Sequence, residues 1–284
     1  MKIIKTVHEM RQYIKEEGAN GHSVGLVPTM GYLHEGHASL IARSAEENDV
    51  TVVSVFVNPT QFGANEDLDS YPRDLEHDCA VAEQAGAQVI FHPTAAEMYP
   101  SGYRTYVNVE EITLPLCGKS RPTHFRGVTT VVCKLFCIVT PDRAYFGQKD
   151  AQQLIVIKQM VRDLNMGVKI VPCPIVRETD GLAKSSRNVY LNEEERRQAL
   201  VLSQALTMAR NLYENGEENA ENLRQAMIEK IQSAPLAKID YVELVDLESL
   251  QKVQTVGQPT LAALAVRFGT TRLIDNTILG EEIS

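Results

Sequence analysis

Two histidines stand three residues apart in the stretch VPTMGYLHEGHASL (27–40), as His34-Glu35-Gly36-His37. Three chemistries compete for such a pair. A zinc-protease helix carries His-Glu-x-x-His, with its histidines at i and i+4; here the spacing is i and i+3, and a third protein ligand would have to come from elsewhere. A pair of structural histidines, satisfied by neighbours, is the second reading. The third is an anion site: the motif follows a short apolar run and opens a helical pattern, so it falls on a strand-to-helix turn whose free N–H groups and helix dipole favour negative charge. Gly31 and Gly36 add room for tight backbone and close ligand approach, having no Cβ. Context therefore favours phosphate.

The elements that must position this motif are legible as apolar, β-branched runs alternating with helical periodicity. HSVGLVPTM (22–30), DVTVVSVFVNP (49–59), AQVIFHPT (87–94), RAYFG (143–147) and VKIVPCPIV (168–176) read as buried strands. Between them, the segments 34–48, 71–87, 127–140 and 150–166 repeat apolar residues at three- and four-residue intervals and read as helices. A βαβα order predicts an α/β fold built on a doubly wound, Rossmann-like parallel sheet, because parallel neighbours need crossover connections. In such sheets ligands bind at the carboxyl ends of the strands. From about residue 176 the chain changes to long charged helices and two further strand candidates, KIDYVELVDL and LAALAVRF. A second, smaller α/β domain over 176–284 is expected after a first domain over 1–175.

Composition narrows the classes of partner. With 284 residues, 44% hydrophobic and 23% charged, the chain can bury a substantial core and is not disordered. Asp and Glu outnumber Lys and Arg by 37 to 28, a net charge of -9. That is the wrong sign for a nucleic-acid or anionic-membrane binder, while a small anionic substrate remains compatible with locally placed positive charge. The five cysteines include no Cys-x-x-Cys pair and read as reduced thiols. The first residues carry too short an apolar run for a secretory signal, and no later run approaches the roughly 18 apolar residues of a membrane helix. A cytoplasmic protein is expected.

TMGYLHEGH resembles the His-x-Gly-His signature of the nucleotidyltransferase superfamily shared with class I aminoacyl-tRNA synthetases, and LAKSSRN (182–188) resembles that superfamily's second, mobile phosphate loop. VSVFVNPTQF, YPRDLEHD, FGQKDAQQL and DGLAKSSRNVYL narrow the likeness: in this order, over nearly the whole chain, they resemble the pantoate–β-alanine ligase family. One departure is Thr123, in SRPTHFRGV, where that family usually has glycine; it bears on the backbone there. The resemblance implies an ATP-dependent condensation of (R)-pantoate with β-alanine in two steps. Pantoate attacks the α-phosphorus of ATP, releasing pyrophosphate, and β-alanine then displaces AMP from the pantoyl adenylate. It further implies Mg²⁺, small-molecule substrates and a homodimer, with the 176–284 domain acting as a lid. Two rival readings are another adenylyl transferase of the superfamily and a non-catalytic ATP-binding regulator; a class I tRNA synthetase is disfavoured by the short, acidic chain.

Residue by residue, the resemblance assigns the ATP phosphates to Met30, Gly31, Tyr32, Leu33, His34, Glu35, Gly36 and His37, with His37 in the family's proton-donor position. His37, His34 and Lys149 form the expected catalytic group. Lys149, following Gly147 and Gln148, matches the family's ATP-binding lysine, and Asp150 is expected to assist nucleotide or Mg²⁺ binding. Val176, Lys184, Ser185, Ser186 and Arg187 complete the nucleotide set; hydroxyls, amides and a guanidinium suit a pyrophosphate leaving group. Read alone, Ser-Ser-Arg is an ordinary helix-cap turn. Gln61 and Gln153 match the family's pantoate contacts, where neutral amides bind hydroxyls and a carboxylate without adding charge. Asn58, Arg121 and His124 are as well suited to shaping loops. The ligands of the metal are not legible.

Overall fold

The computed structural model describes residues 1–63, 66–257 and 259–280. The chain runs β1 (Lys2–Ile4), α1 (Val7–Ala19), β2 (Val24–Thr29), α2 (Glu35–Glu47), β3 (Val50–Val55), α3 (Leu75–Gln84), β4 (Val89–Phe91), α4 (Ala95–Met98), α5 (Cys117–Ser120), α6 (His124–Val139), β5 (Arg143–Gly147), α7 (Ala151–Asp163) and β6 (Lys169–Cys173). It continues through α8 (Glu193–Gln198), α9 (Val201–Glu214), α10 (Ala220–Gln232), β7 (Ala237–Asp246), β8 (Thr260–Phe268) and β9 (Thr271–Leu279). Three 3₁₀ turns, Pro59–Gln61, Gln148–Asp150 and Ser186–Tyr190, fall at motif positions.

Strands β1 to β6 form one parallel sheet in the order β1-β4-β3-β2-β5-β6. The five strands expected from sequence all lie in it, and the Val and Ile residues of β2, β3 and β4 are buried as strands covered on both faces should be: all six residues of β3 are buried. β1, unforeseen in the sequence, pairs Lys2–Ile4 with Val89–Phe91. The chain steps from β2 to β3 to β4 in one direction and then starts β5 on the other side of β2, so the winding reverses between β2 and β5. In open α/β sheets such a reversal is where ligands bind, at the carboxyl ends of the two strands.

The chain divides into two compact units. The first comprises Met1–Glu110, Arg121–Gln148 and Val156–Pro174; the second takes Glu111–Ser120, Lys149–Ile155 and the chain from Ile175 onward. In the second unit α9 and α10 pack on the antiparallel sheet β7-β8-β9, burying Leu202, Leu206, Leu223 and Met227 against Val242, Leu264 and Val266. β8 is central and buried at every residue except Arg267. β9 is an edge strand unforeseen in the sequence, and it buries three polar residues, Thr271, Asp275 and Asn276.

Candidate active site

The predicted residues fall into both units. Met30–His37, Gln61, Gly147 and Gln148 belong to the first; Lys149, Asp150, Gln153, Val176 and Lys184–Arg187 belong to the second.

In the first unit, β2 ends at Thr29 and the chain turns before α2. Gly31 has φ +87° and Tyr32 φ +51°, so this turn uses the left-handed region twice. Glycine enters it freely, whereas a tyrosine there costs roughly 1–2 kcal/mol. What holds the strained turn is Asp78 of α3: its Oδ2 accepts from Tyr32 N–H at 3.0 Å and its Oδ1 from Leu33 N–H at 2.7 Å. His77 Nε2–H donates to Leu33 O at 2.9 Å. Asp78 is 1% exposed, and burial raises its pKa against the lowering effect of the two N–H donors. A Cβ on Gly31 would stand 2.8 Å from Asp78 Oδ2 and 3.0 Å from Val55 Cγ1, so this glycine is required by space as well as by φ.

His34 caps α2 in extended backbone, its Nδ1 accepting from Gly36 N–H at 3.1 Å, while His37 Nδ1 accepts from His34 N–H at 3.2 Å. This is a reciprocal capping box, built here from two imidazoles whose centroids are 4.0 Å apart. Because backbone N–H groups only donate, each Nδ1 must be unprotonated. In the neutral rings the proton therefore sits on Nε2, and both histidines are fixed as Nε2–H donors at a helix N-terminus. That polarity suits phosphate oxygens.

Gln61 closes the 3₁₀ turn beyond β3 and is 8% exposed. Its Oε1 accepts from Asn58 Nδ2 at 3.0 Å, and its Nε2 donates to Met30 Sδ at 2.9 Å, so the amide is held against the turn that carries the histidines. Asn58, 1% exposed, also donates to Gly127 O at 3.1 Å and accepts from Tyr99 OH at 2.8 Å; burial pushes the Tyr99 hydroxyl up to about 12. His124 Nδ1–H donates to Gln61 O at 2.9 Å, and Arg121 donates to the same carbonyl at 3.3 Å while pairing through Nε with Glu66 at 2.8 Å. Asn58, Arg121 and His124 thus shape the Gln61 loop. Thr123 sits at φ −97°, ψ −8°, right-handed backbone open to any residue, so glycine is not needed there.

In the second unit, Lys149 lies in the 3₁₀ turn after β5, with its carbonyl accepting from Asn276 Nδ2 at 2.8 Å. Gln153 is half-buried on α7; Gln152, one residue earlier and 5% exposed, instead braces the 112–117 loop by donating to Ile112 O and Pro115 O. Lys184 N–H donates to Val176 O at 2.9 Å, and Arg177 bridges Ala183, so the residues flanking the second loop form a small hairpin. Lys184 Nζ pairs with Glu178 at 2.8 Å. Ser185 caps the Ser186–Tyr190 turn, accepting from Arg187 N–H at 3.3 Å. Ser185 therefore fills the helix-cap role that Ser-Ser-Arg has when read alone.

A model of the pantoate–β-alanine ligase family matches residues 2–278. The chain belongs to this family and is an enzyme of the ligase class. A pantothenate synthetase from Acetivibrio thermocellus is 59% identical over 279 residues, 98% of this chain and 99% of that protein. A crystal structure of pantothenate synthetase from Thermus thermophilus superposes with a TM-score of 0.93 at 46% identity, covering 98% of this chain and 99% of that one. A Francisella tularensis pantoate–β-alanine ligase, complexed with beta-gamma ATP and β-alanine, gives a TM-score of 0.80 at 35% identity over 98% of this chain and 97% of that one.

Sequence reasoning on this ligase passed over Asp78, Gly127 and the pair Asp275–Asn276. Asp78 did leave a signal: with Leu75 and Ala82 it shares the i, i+3, i+7 face of α3 that turns to the core, where an unpaired carboxylate is expensive. Gly127 and the β9 pair left none, because their partners lie far away in the chain.

Proposed function

We propose that this ligase condenses (R)-pantoate with β-alanine, consuming ATP and releasing AMP and pyrophosphate through a pantoyl adenylate. The observation that carries the reading is the paired capping of His34 and His37, which sets two Nε2–H donors on the helix leaving β2, beside the β2/β5 reversal of the sheet. Pantoate's carboxylate is ionised at pH 7, since carboxyl groups have pKa values near 4, so its attack on the α-phosphorus needs no general base. The need is for stabilisation of charge that develops on phosphate oxygens. The histidine donors and the N-terminus of α2 supply part of it, Lys149 a point charge, and Ser185, Ser186 and Arg187 contacts to the departing pyrophosphate. Gln61 and Gln153 orient pantoate. In the second step the amine of β-alanine must be unprotonated, so the site has to capture or generate the minor neutral form.

Among the described residues no group of three or more His, Cys, Asp and Glu gathers as a metal cage. Mg²⁺, if carried chiefly by ATP phosphates and water, would neutralise phosphate charge, with Asp150 as the carboxylate to assist it. Among the described residues no helix is long and apolar enough to cross a membrane. A cytoplasmic homodimer, in which the 1–175 region binds ATP and pantoate and the 176–284 region covers them, is part of the same proposal and rests on family membership.

The test follows the oxygen. With ¹⁸O in the pantoate carboxylate, mass spectrometry should find label in AMP. Attack on the γ-phosphorus would instead form ADP and place label in inorganic phosphate, and that result, or unlabelled AMP, overturns the adenylate route.

A further inference from the structure

We propose that Asp275 and Asn276, adjacent on β9, are positioning residues that set the two phosphate-binding loops of the second unit. The inference rests on the roles proposed above for Lys149 and for Lys184–Arg187.

Aspartate and asparagine are depleted from strands, and a buried polar side chain is expensive unless its hydrogen bonds are made. Yet Asp275 is 2% and Asn276 6% exposed. Their partners explain the placement. Asn276 Nδ2 donates to the carbonyl of Lys149 at 2.8 Å, fixing the backbone of the turn from which that lysine projects. Asp275 receives both arms of Arg177, Nη1 at 2.7 Å and Nη2 at 2.9 Å, and its Oδ1 also accepts Asn276 N–H at 2.8 Å. Arg177 Nη1 donates further to Gly181 O at 3.1 Å, so the bidentate pair locks the hairpin whose far strand runs into Lys184 and Ser185. β9 also packs against the Ser186–Tyr190 turn. One dipeptide of the edge strand thereby binds the backbone under Lys149 and the base of the second loop. A planar guanidinium on a carboxylate is a stiff, two-point joint, which is what a loop that must meet a phosphate in one geometry requires.

Asp275→Ala strands Arg177 and endangers the fold, so Asn276 is the informative position. Single-turnover pyrophosphate release, with ATP and pantoate, is to be measured for the wild type, Asn276→Ala, Lys149→Ala and the double variant, with thermal midpoints recorded for each. Loss of one neutral hydrogen bond corresponds to roughly 3- to 10-fold in rate. Asn276→Ala should slow adenylate formation by that factor, leave the reaction of preformed pantoyl adenylate with β-alanine unchanged, and add less than twofold in the Lys149→Ala background. Asn276→Asp keeps the volume and removes the donor, and should slow the step as well even if the alanine variant folds poorly. Equal fold losses in both backgrounds, or a wild-type rate in Asn276→Asp, overturn the positioning role. A wild-type rate in Lys149→Ala overturns instead the functional reading beneath it.

Discussion

Gly127→Ala inverts a usual rule. Inside a helix the change from glycine to alanine stabilises by about 1 kcal/mol, and Gly127 lies in the first turns of α6. A Cβ built there, however, stands 2.4 Å from Thr60 O, 2.5 Å from Thr60 C and 2.6 Å from Gln61 Cα, all of them backbone atoms of the 3₁₀ turn. Ordinary contact begins at 3.4 Å, so the turn must retreat by 3.4 − 2.4 = 1.0 Å. Overpacking of this kind costs roughly 1–3 kcal/mol, which leaves a net loss of about 0–2 kcal/mol once the helix gain is subtracted. The retreat also stretches Asn58 Nδ2 from Gly127 O and carries Gln61 away from its place. Misplacing a substrate-positioning group by about 1 Å can cost on the order of 10²-fold. Initial rates with each substrate varied should show kcat/KM for pantoate falling by about that factor while the KM for ATP holds, with Gln61→Ala raising the pantoate KM in the same selective way. A higher thermal midpoint together with unchanged pantoate kinetics would refute both the packing argument and the pantoate role of Gln61.

His37→Ala removes one Nε2–H donor and the acceptor for His34 N–H; adenylate formation should fall roughly 10²–10³-fold, with only about 1 kcal/mol lost from the helix cap, and a near-normal single-turnover rate would refute the assignment. Burial of Glu66 acts to raise its pKa, but the hydrogen bonds and charge of Arg121 outweigh it and the net shift is downward. A depressed carboxyl pKa contributes stability that is present above the unfolded value and lost as pH falls through the folded one. Glu66→Gln should therefore flatten the acid limb of the thermal midpoint below the ordinary carboxyl range, and a limb as steep as the wild type's would count against the pair. Amide exchange at Lys184–Asn188 should slow when ATP is bound, because closure would keep water from a hydrolysable adenylate; unchanged exchange at saturating ATP would mean a loop already fixed.

The five largely apolar runs were readable as parallel strands because a strand covered on both faces has little room for charge, and the amphipathic segments between them were readable as crossover helices. The placing of the His-Glu-Gly-His segment on a strand-to-helix turn was readable for a local reason too, since the donors of a helix N-terminus are set by the helix itself. β1 escaped because three residues carry no period, and it exists only by pairing with β4. β9 escaped because TRLIDNTIL buries Asp275 and Asn276, which binary patterning assigns to solvent; their burial is permitted by Arg177 and by the Lys149 carbonyl, partners distant in the chain. The same separates His34 from Asp78. The first finds its capping partners within its own tetrapeptide, whereas Asp78 acts on backbone N–H groups that α3 meets only after β2, β3 and β4 have paired. A side chain's hydrogen bond to remote backbone depends on where the sheet closes the intervening loop, and neither composition nor periodicity records that closure.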